Sequence, residues 1–124
     1  MRLVGGGERR GGSPIDPPFE VLAPANQTLP FVFASPHSGR VYHKSFLQVS
    51  RLDTVSIRRS EDSFVDEIFA AAPAMGAPLI KAHFPRAYVD PNRDETDMDV
   101  ALLDAPWPHP ASPSEKTAKG LGLI

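Results

Sequence analysis

Ser60-Glu-Asp-Ser-Phe-Val-Asp-Glu-Ile-Phe-Ala-Ala-Ala-Pro-Ala-Met-Gly-Ala-Pro-Leu-Ile-Lys-Ala-His-Phe84 decides how this chain is built. Ser60 reads as an N-cap, and Glu61 and Asp62 place negative charge on a first helical turn, where the helix dipole favours it. Val65, Ile68, Phe69 and Ala72 recur at i, i+3, i+4 and i+7, the spacing of one buried helical face. Pro73 and Gly76 close that helix. The apolar run Ala77 to Phe84 then reads as a strand. Upstream, Leu29-Pro-Phe-Val-Phe-Ala34 is a compact run of the buried-strand type, ended by Ser35-Pro36. Strand, helix and strand in that order predict an α/β fold with parallel pairing.

Outward from this centre the pattern weakens. Phe19 to Leu22 fits a short edge strand, Val41 to Arg51 turn chemistry followed by a short helical piece, and Arg86 to Asp90 another strand. Ala105 to Pro113 is a proline-dense loop, and Lys116 to Ile124 looks like the start of a further strand. Residues 1–18, rich in Gly and Pro, read as a disordered or loose arm. The expected organisation is therefore an arm (1–18), a main body (19–104) and a tail (105–124).

Composition narrows the function. A chain of 124 residues holds at most one domain, and 41% hydrophobic residues suffice for a small core. Thirteen basic against 15 acidic residues leave a formal charge of -2, which gives no electrostatic case for nucleic acid or an anionic membrane as main partner. Cysteine is absent, so a metal here must be held by imidazole and carboxylate. The N-terminal sequence lacks a signal-peptide core, and no window approaches the ~20 apolar residues of a membrane span. The expectation is a soluble, cytoplasmic protein.

Two polar clusters follow apolar runs. The first is Ser35-Pro-His-Ser-Gly39, where a tight loop would expose the His37 imidazole, the commonest zinc ligand. The same histidine could equally hydrogen-bond its loop neighbours and nothing else. The second is Phe84-Pro-Arg-Ala-Tyr-Val-Asp-Pro-Asn-Arg93, which gathers two guanidiniums, an amide and a carboxylate. Paired guanidinium donors match a carboxylate's two oxygens, although Arg86 and Arg93 could also be surface ion pairs of Asp90, Asp94 or Glu95. Asp66, one turn beyond Asp62, reads either as a partner holding the second nitrogen of His37 or as a solvated carboxylate. One of Arg58 and Arg59 is expected to neutralise Glu61 and Asp62. His43, His83 and His109 carry no comparable signal.

Pro36-His-Ser-Gly-Arg40, Arg58-Arg-Ser-Glu-Asp-Ser-Phe-Val-Asp66, Gly76-Ala-Pro-Leu79 and Phe84 to Arg93 together resemble the N-formylglutamate amidohydrolase family, in its order and close to its spacing. The resemblance covers Phe19 to the last residue. It implies a three-layer α/β/α sandwich with a mixed, largely parallel sheet, as in zinc exopeptidases and aspartoacylases. It implies Zn2+ or another divalent metal, and hydrolysis of the amide of an N-acyl acidic amino acid, typically formylglutamate to formate and glutamate. Carried onto this chain, His37 is the first metal ligand and Asp62 the second, with Glu61 the alternative. Arg86, Asn92 and Arg93 bind the carboxylates of a small acidic substrate, and Asp90 orients. Members of the family are longer, so a second histidine ligand and the general base are expected outside this sequence. The chain then reads as the N-terminal part of a hydrolase, or alternatively as an inactive form that acts at most as a binding module.

Overall fold

The computed structural model describes Ile15 and residues 17–124, so most of the expected N-terminal arm lies outside the described residues. Three strands form one mixed sheet: β1 (Phe19–Leu22), β2 (Phe33–Ser35) and β3 (Leu79–Ala82), in the order β1-β3-β2. β2 runs parallel to β3, with Phe33 opposite Leu79 and Ser35 opposite Lys81. β1 pairs with β3 antiparallel, from Phe19 opposite Ala82 to Leu22 opposite Leu79. The α/β class and the parallel pair follow the sequence pattern. The sheet itself is evenly mixed, with one parallel and one antiparallel ladder.

Between β2 and β3 the chain makes α1 (Lys44–Val49), a 3-10 turn (Ser56–Ser60), α2 (Val65–Ile68) and a second 3-10 turn (Pro73–Met75). A continuous helix from Ser60 does not form. Asp62 N–H donates to His37 O at 3.0 Å, which diverts residues 61–63 toward the loop after β2. Phe64 then takes φ +66°, a left-handed conformation that no helix interior contains. The regular helix is thus confined to one turn, and Ile68, expected on the buried face, is 72% exposed. Gly76 ends the region as expected. Its φ of +91° suits glycine, its carbonyl accepts from Thr28 and Leu29 N–H at 3.0 and 3.1 Å, and a Cβ there would collide with the Thr28 hydroxyl.

The stretch Arg86 to Asp90 is a turn rather than a strand. Pro85 and Pro91 lack the N–H a ladder needs, and Tyr88 N–H closes back on Pro85 O at 2.9 Å. The consequence is functional. In a strand, residues four apart stand about 13 Å from each other, whereas the turn brings Arg86 Nε within 3.0 Å of Asp90 Oδ2. The expected C-terminal strand is also replaced by a helical turn, α3 (Glu115–Ala118), N-capped by Ser114, whose hydroxyl accepts from Lys116 N–H at 3.1 Å. Asp97 is buried and accepts from Ser114 N–H and Oγ and from the Thr117 hydroxyl, so it anchors this helix. Gly120, at φ +72°, ends it, and Leu123 then returns to accept from Asp90 N–H at 2.8 Å.

The core is small: Ile57, Ala72, Ala77, Leu79 and Met98 are its buried apolar members among the described residues. Leu79 at the middle of the sheet is fully buried. Phe33 stacks against Phe69 with ring centroids 5.2 Å apart, which ties α2 to the β2 side of the sheet. No described helix is long and apolar enough to cross a membrane.

Candidate active site

Both site-bearing loops leave the sheet at the same edge, because β2 and β3 are parallel and their C-terminal ends lie side by side. The loop after β2 carries His37 and the loop after β3 carries Asp90. Gly39 allows them to touch. A Cβ at position 39 would lie 1.9 Å from Phe84 O and 2.7 Å from His83 C, both backbone atoms. Val41 N–H donates to His83 O at 3.0 Å just beyond this crossing. Buried Ser35 and Ser38 share a hydroxyl–hydroxyl hydrogen bond that closes the loop around His37.

His37 is buried between two carboxylates. Its Nε2 is 2.7 Å from Asp90 Oδ1, and its Nδ1 is 3.3 Å from Asp62 Oδ2. Asp90, only 2% exposed, is the hub of the site. Oδ1 also accepts from Asn92 N–H at 2.9 Å, and Oδ2 accepts from Arg86 Nε and pairs with Arg86 Nη2, each at 3.0 Å. Burial pushes the Asp90 carboxyl up, but Asn92 N–H, His37 and Arg86 together outweigh it and hold it below the usual carboxylate range. An ionised Asp90 can only accept, so His37 Nε2 is the donor in this contact. The other ring nitrogen, Nδ1, faces the Asp62 carboxylate.

With Nδ1 unprotonated, these two atoms are acceptors that a cation could bridge. Ligands on one tetrahedral zinc, each at about 2.0–2.1 Å, stand about 3.3 Å apart. The His37–Asp62 separation has that value, and a carboxylate behind the distal imidazole nitrogen is the usual support of a metal-bound histidine. The Asp62 side chain is 52% exposed, so the gap opens toward solvent. His37 and Asp62 therefore fit as two members of a metal's ligand set. Among the described residues no third His, Asp or Glu joins them.

Glu61, the alternative ligand, is engaged elsewhere. Its side chain is 1% exposed and accepts from Tyr42 Oη at 2.7 Å, Arg58 Nε at 3.1 Å and Ser63 Oγ at 3.3 Å. Burial raises its carboxyl, but Tyr42 and Arg58 outweigh this and lower it. The same carboxylate and burial push the Tyr42 phenol well up. Arg58 is thus the arginine that neutralises Glu61.

Asp66 does not touch His37. Its carboxylate is 3.2 Å from Arg40 Nη2 and 3.8 Å from Lys81 Nζ, because α2 turns it toward the sheet. Asp90, from the other loop, holds the imidazole instead.

Arg86 and Arg93 both lie beside Asp90 rather than standing free in a fork. Arg93 Nε donates to Leu121 O at 2.8 Å and Nη1 to Asn92 O at 2.7 Å, while Nη2 sits 3.7 Å from Asp90 Oδ2. Asn92 is exposed next to it. Sequence reading passed over Arg40, which reaches Asp66 and also Glu67 Oε1 at 2.8 Å. Its position three residues after His37, in the same block, was the available signal.

No curated protein matches the chain. Among solved structures, the N-formylglutamate amidohydrolase from Ralstonia eutropha JMP134 is 44% identical, with a TM-score of 0.79 over 86% of this chain. The chain spans 38% of the length of that protein. Residues 29–124 match the family model described as N-formylglutamate amidohydrolase, a range that contains every site residue named above. The chain belongs to the N-formylglutamate amidohydrolase family.

Proposed function

We propose that this chain supplies the N-terminal part of the active centre of a metal-dependent hydrolase that cleaves N-formyl-L-glutamate to formate and glutamate. The observation that carries this reading is His37 held between Asp90 and Asp62, with Nδ1 and the Asp62 carboxylate 3.3 Å apart. The three-layer sandwich belongs to the same proposal, with this mixed sheet and its short helices as one section of it.

A divalent ion such as zinc, held by His37 Nδ1 and Asp62 with further ligands from outside this chain, would polarise the formyl oxygen and acidify a bound water. The chain's own residues shape the rest of the site. Asp90 keeps the proton on Nε2 and so keeps the Nδ1 lone pair directed at Asp62. Arg86 and Asn92 N–H keep Asp90 ionised. In this reading exposed Asn92 and the adjacent, largely buried Arg93 bind a substrate carboxylate, and Arg86 adds positive potential nearby. A dicarboxylate such as formylglutamate is the small acidic substrate such a pair of guanidiniums suits.

Formate release from N-formylglutamate tests the reading. It should be measured with and without Zn2+ on this chain and on a polypeptide spanning the whole family fold. Metal-dependent release by the longer protein, abolished by His37→Ala, is expected. Undiminished turnover after that substitution would overturn the assignment.

A further inference from the structure

Asp62 sits on an irregular turn, so something must hold that turn against His37. The chain between Glu61 and α2 has no regular structure to fix it, and the Asp62 side chain is half exposed. Two features converge there that the reaction chemistry does not use. Phe64 is the one non-glycine residue with positive φ among the described residues. A bulky side chain in that conformation persists only where its surroundings enforce it. The ring lies under the Arg40 guanidinium, whose Cζ is 5.2 Å from the ring centroid, within cation–π range. The same guanidinium pairs with Asp66 at 3.2 Å and Glu67 at 2.8 Å, both in the first turn of α2.

Arg40 stands three residues after His37, and Phe64 stands two residues after Asp62. The guanidinium thus grips the far side of the turn whose near side meets His37, where Asp62 N–H donates to His37 O at 3.0 Å. Arg40 and Phe64 lie on the two chain segments that carry the proposed ligands, and they meet across those segments.

We propose that Arg40 and Phe64 form a latch that positions Asp62 opposite His37; they are positioning residues, outside the metal's ligand set. This rests on the metal-site reading above for its functional meaning. Without the latch the left-handed turn at Phe64 relaxes, and Asp62 loses its register with the imidazole while the sheet stays intact.

Site-resolved amide hydrogen exchange on the whole chain tests it. Arg40→Ala and Phe64→Ala should each speed exchange of the Asp62 amide at least about tenfold, while the β3 amides of Ile80 and Lys81 change by less than about twofold. A merely structural role would accelerate both sets together, and that result would overturn the proposal. Arg40→Lys retains the charge and loses the planar stacking fork, so it should restore only part of the protection. If the alanine variant fails to fold, the lysine variant carries the same comparison between Asp62 and β3.

Titration with Zn2+ alone, followed on the His37 ring by NMR, is the second readout. Both alanine variants should need at least about tenfold more Zn2+ than the native chain. Absence of any His37 response in the native chain would count against the metal reading, whereas Asp62 exchange would still judge the latch by itself.

Discussion

His37 Nε2 stands 2.7 Å from Asp90 Oδ1, although 53 positions of chain separate the two residues. Parallel pairing of β2 with β3 brings their loops to one edge, and the side chains meet there, both buried. The contact fixes the orientation of the imidazole, and with it the direction in which Nδ1 points, toward Asp62.

Asp90→Asn keeps the shape of this contact and removes its charge. The variant should bind zinc about 10–100-fold more weakly in a chelator competition. It should also change the acid limb of stability. Because the folded carboxyl lies below its ordinary value, its stabilisation is complete above the unfolded value near ~3.9 and is lost as pH falls through the lower folded value. Urea midpoints from neutral to acid pH should therefore decline less steeply in Asp90→Asn than in the native chain. Parallel acid limbs would show that Asp90 does not contribute there.

Gly39→Ala puts a methyl group into the backbone of residues 83 and 84. Neither chain can yield without moving the loop that holds His37 or the one that leads to Asp90. Overpacking of this kind costs about 1–3 kcal/mol, to be read from the denaturant midpoint. The His37–Asp90 hydrogen bond should lengthen with it, visible as a shift of the His37 Nε2–H resonance. An unshifted resonance would mean that the loops adjust elsewhere.

Asp62 and Glu61 are neighbours with opposite expected phenotypes. Asp62→Ala should abolish tight zinc retention yet alter stability by no more than about 0.5 kcal/mol, since the side chain is half exposed. Glu61→Ala should leave zinc binding largely intact and destabilise the fold by about 1–3 kcal/mol, because it strands the Tyr42 hydroxyl and Arg58. Metal content and urea midpoints measured on both variants would separate the roles, and swapped phenotypes would make Glu61 the ligand.

Arg86 and Arg93 should divide in the same way. Arg86→Ala removes the main ionic partner of buried Asp90 and should cost about 2–3 kcal/mol. Arg93→Ala should cost less and raise KM for formylglutamate at least about tenfold in a protein spanning the family fold, with kcat changed less. It should also loosen the 121–124 segment, since Arg93 Nε holds Leu121 O. An unchanged KM would remove Arg93 from substrate binding.

Much of the frame was legible in the chain before its structure. Apolar runs at 29–34 and 77–84 correspond to the parallel pair β2 and β3, and Gly76 ends the region before β3 as its left-handed φ requires. The blocks around His37, Asp62 and Phe84 to Arg93 carried the family resemblance, because local residue types at fixed spacing survive in a linear reading. The buried helical face from Val65 to Ala72 was not realised. Periodicity reports which residues could share a face, not whether a long-range hydrogen bond such as Asp62 N–H to His37 O pulls the first turn away.

Sequence alone thus determined the three strands of the sheet, the punctuation at Gly76 and the family, while the strands expected at 86–90 and 116–124 became a turn and a helical turn. Tertiary structure decided which carboxylate serves which nitrogen. Asp66 was the nearer candidate in sequence and points to Arg40, while Asp90 comes from the next loop and holds the imidazole. The reason is physical: hydrogen-bond partners are selected by direction and distance at the end of a folded sheet, and both depend on strand pairing that no local spacing encodes.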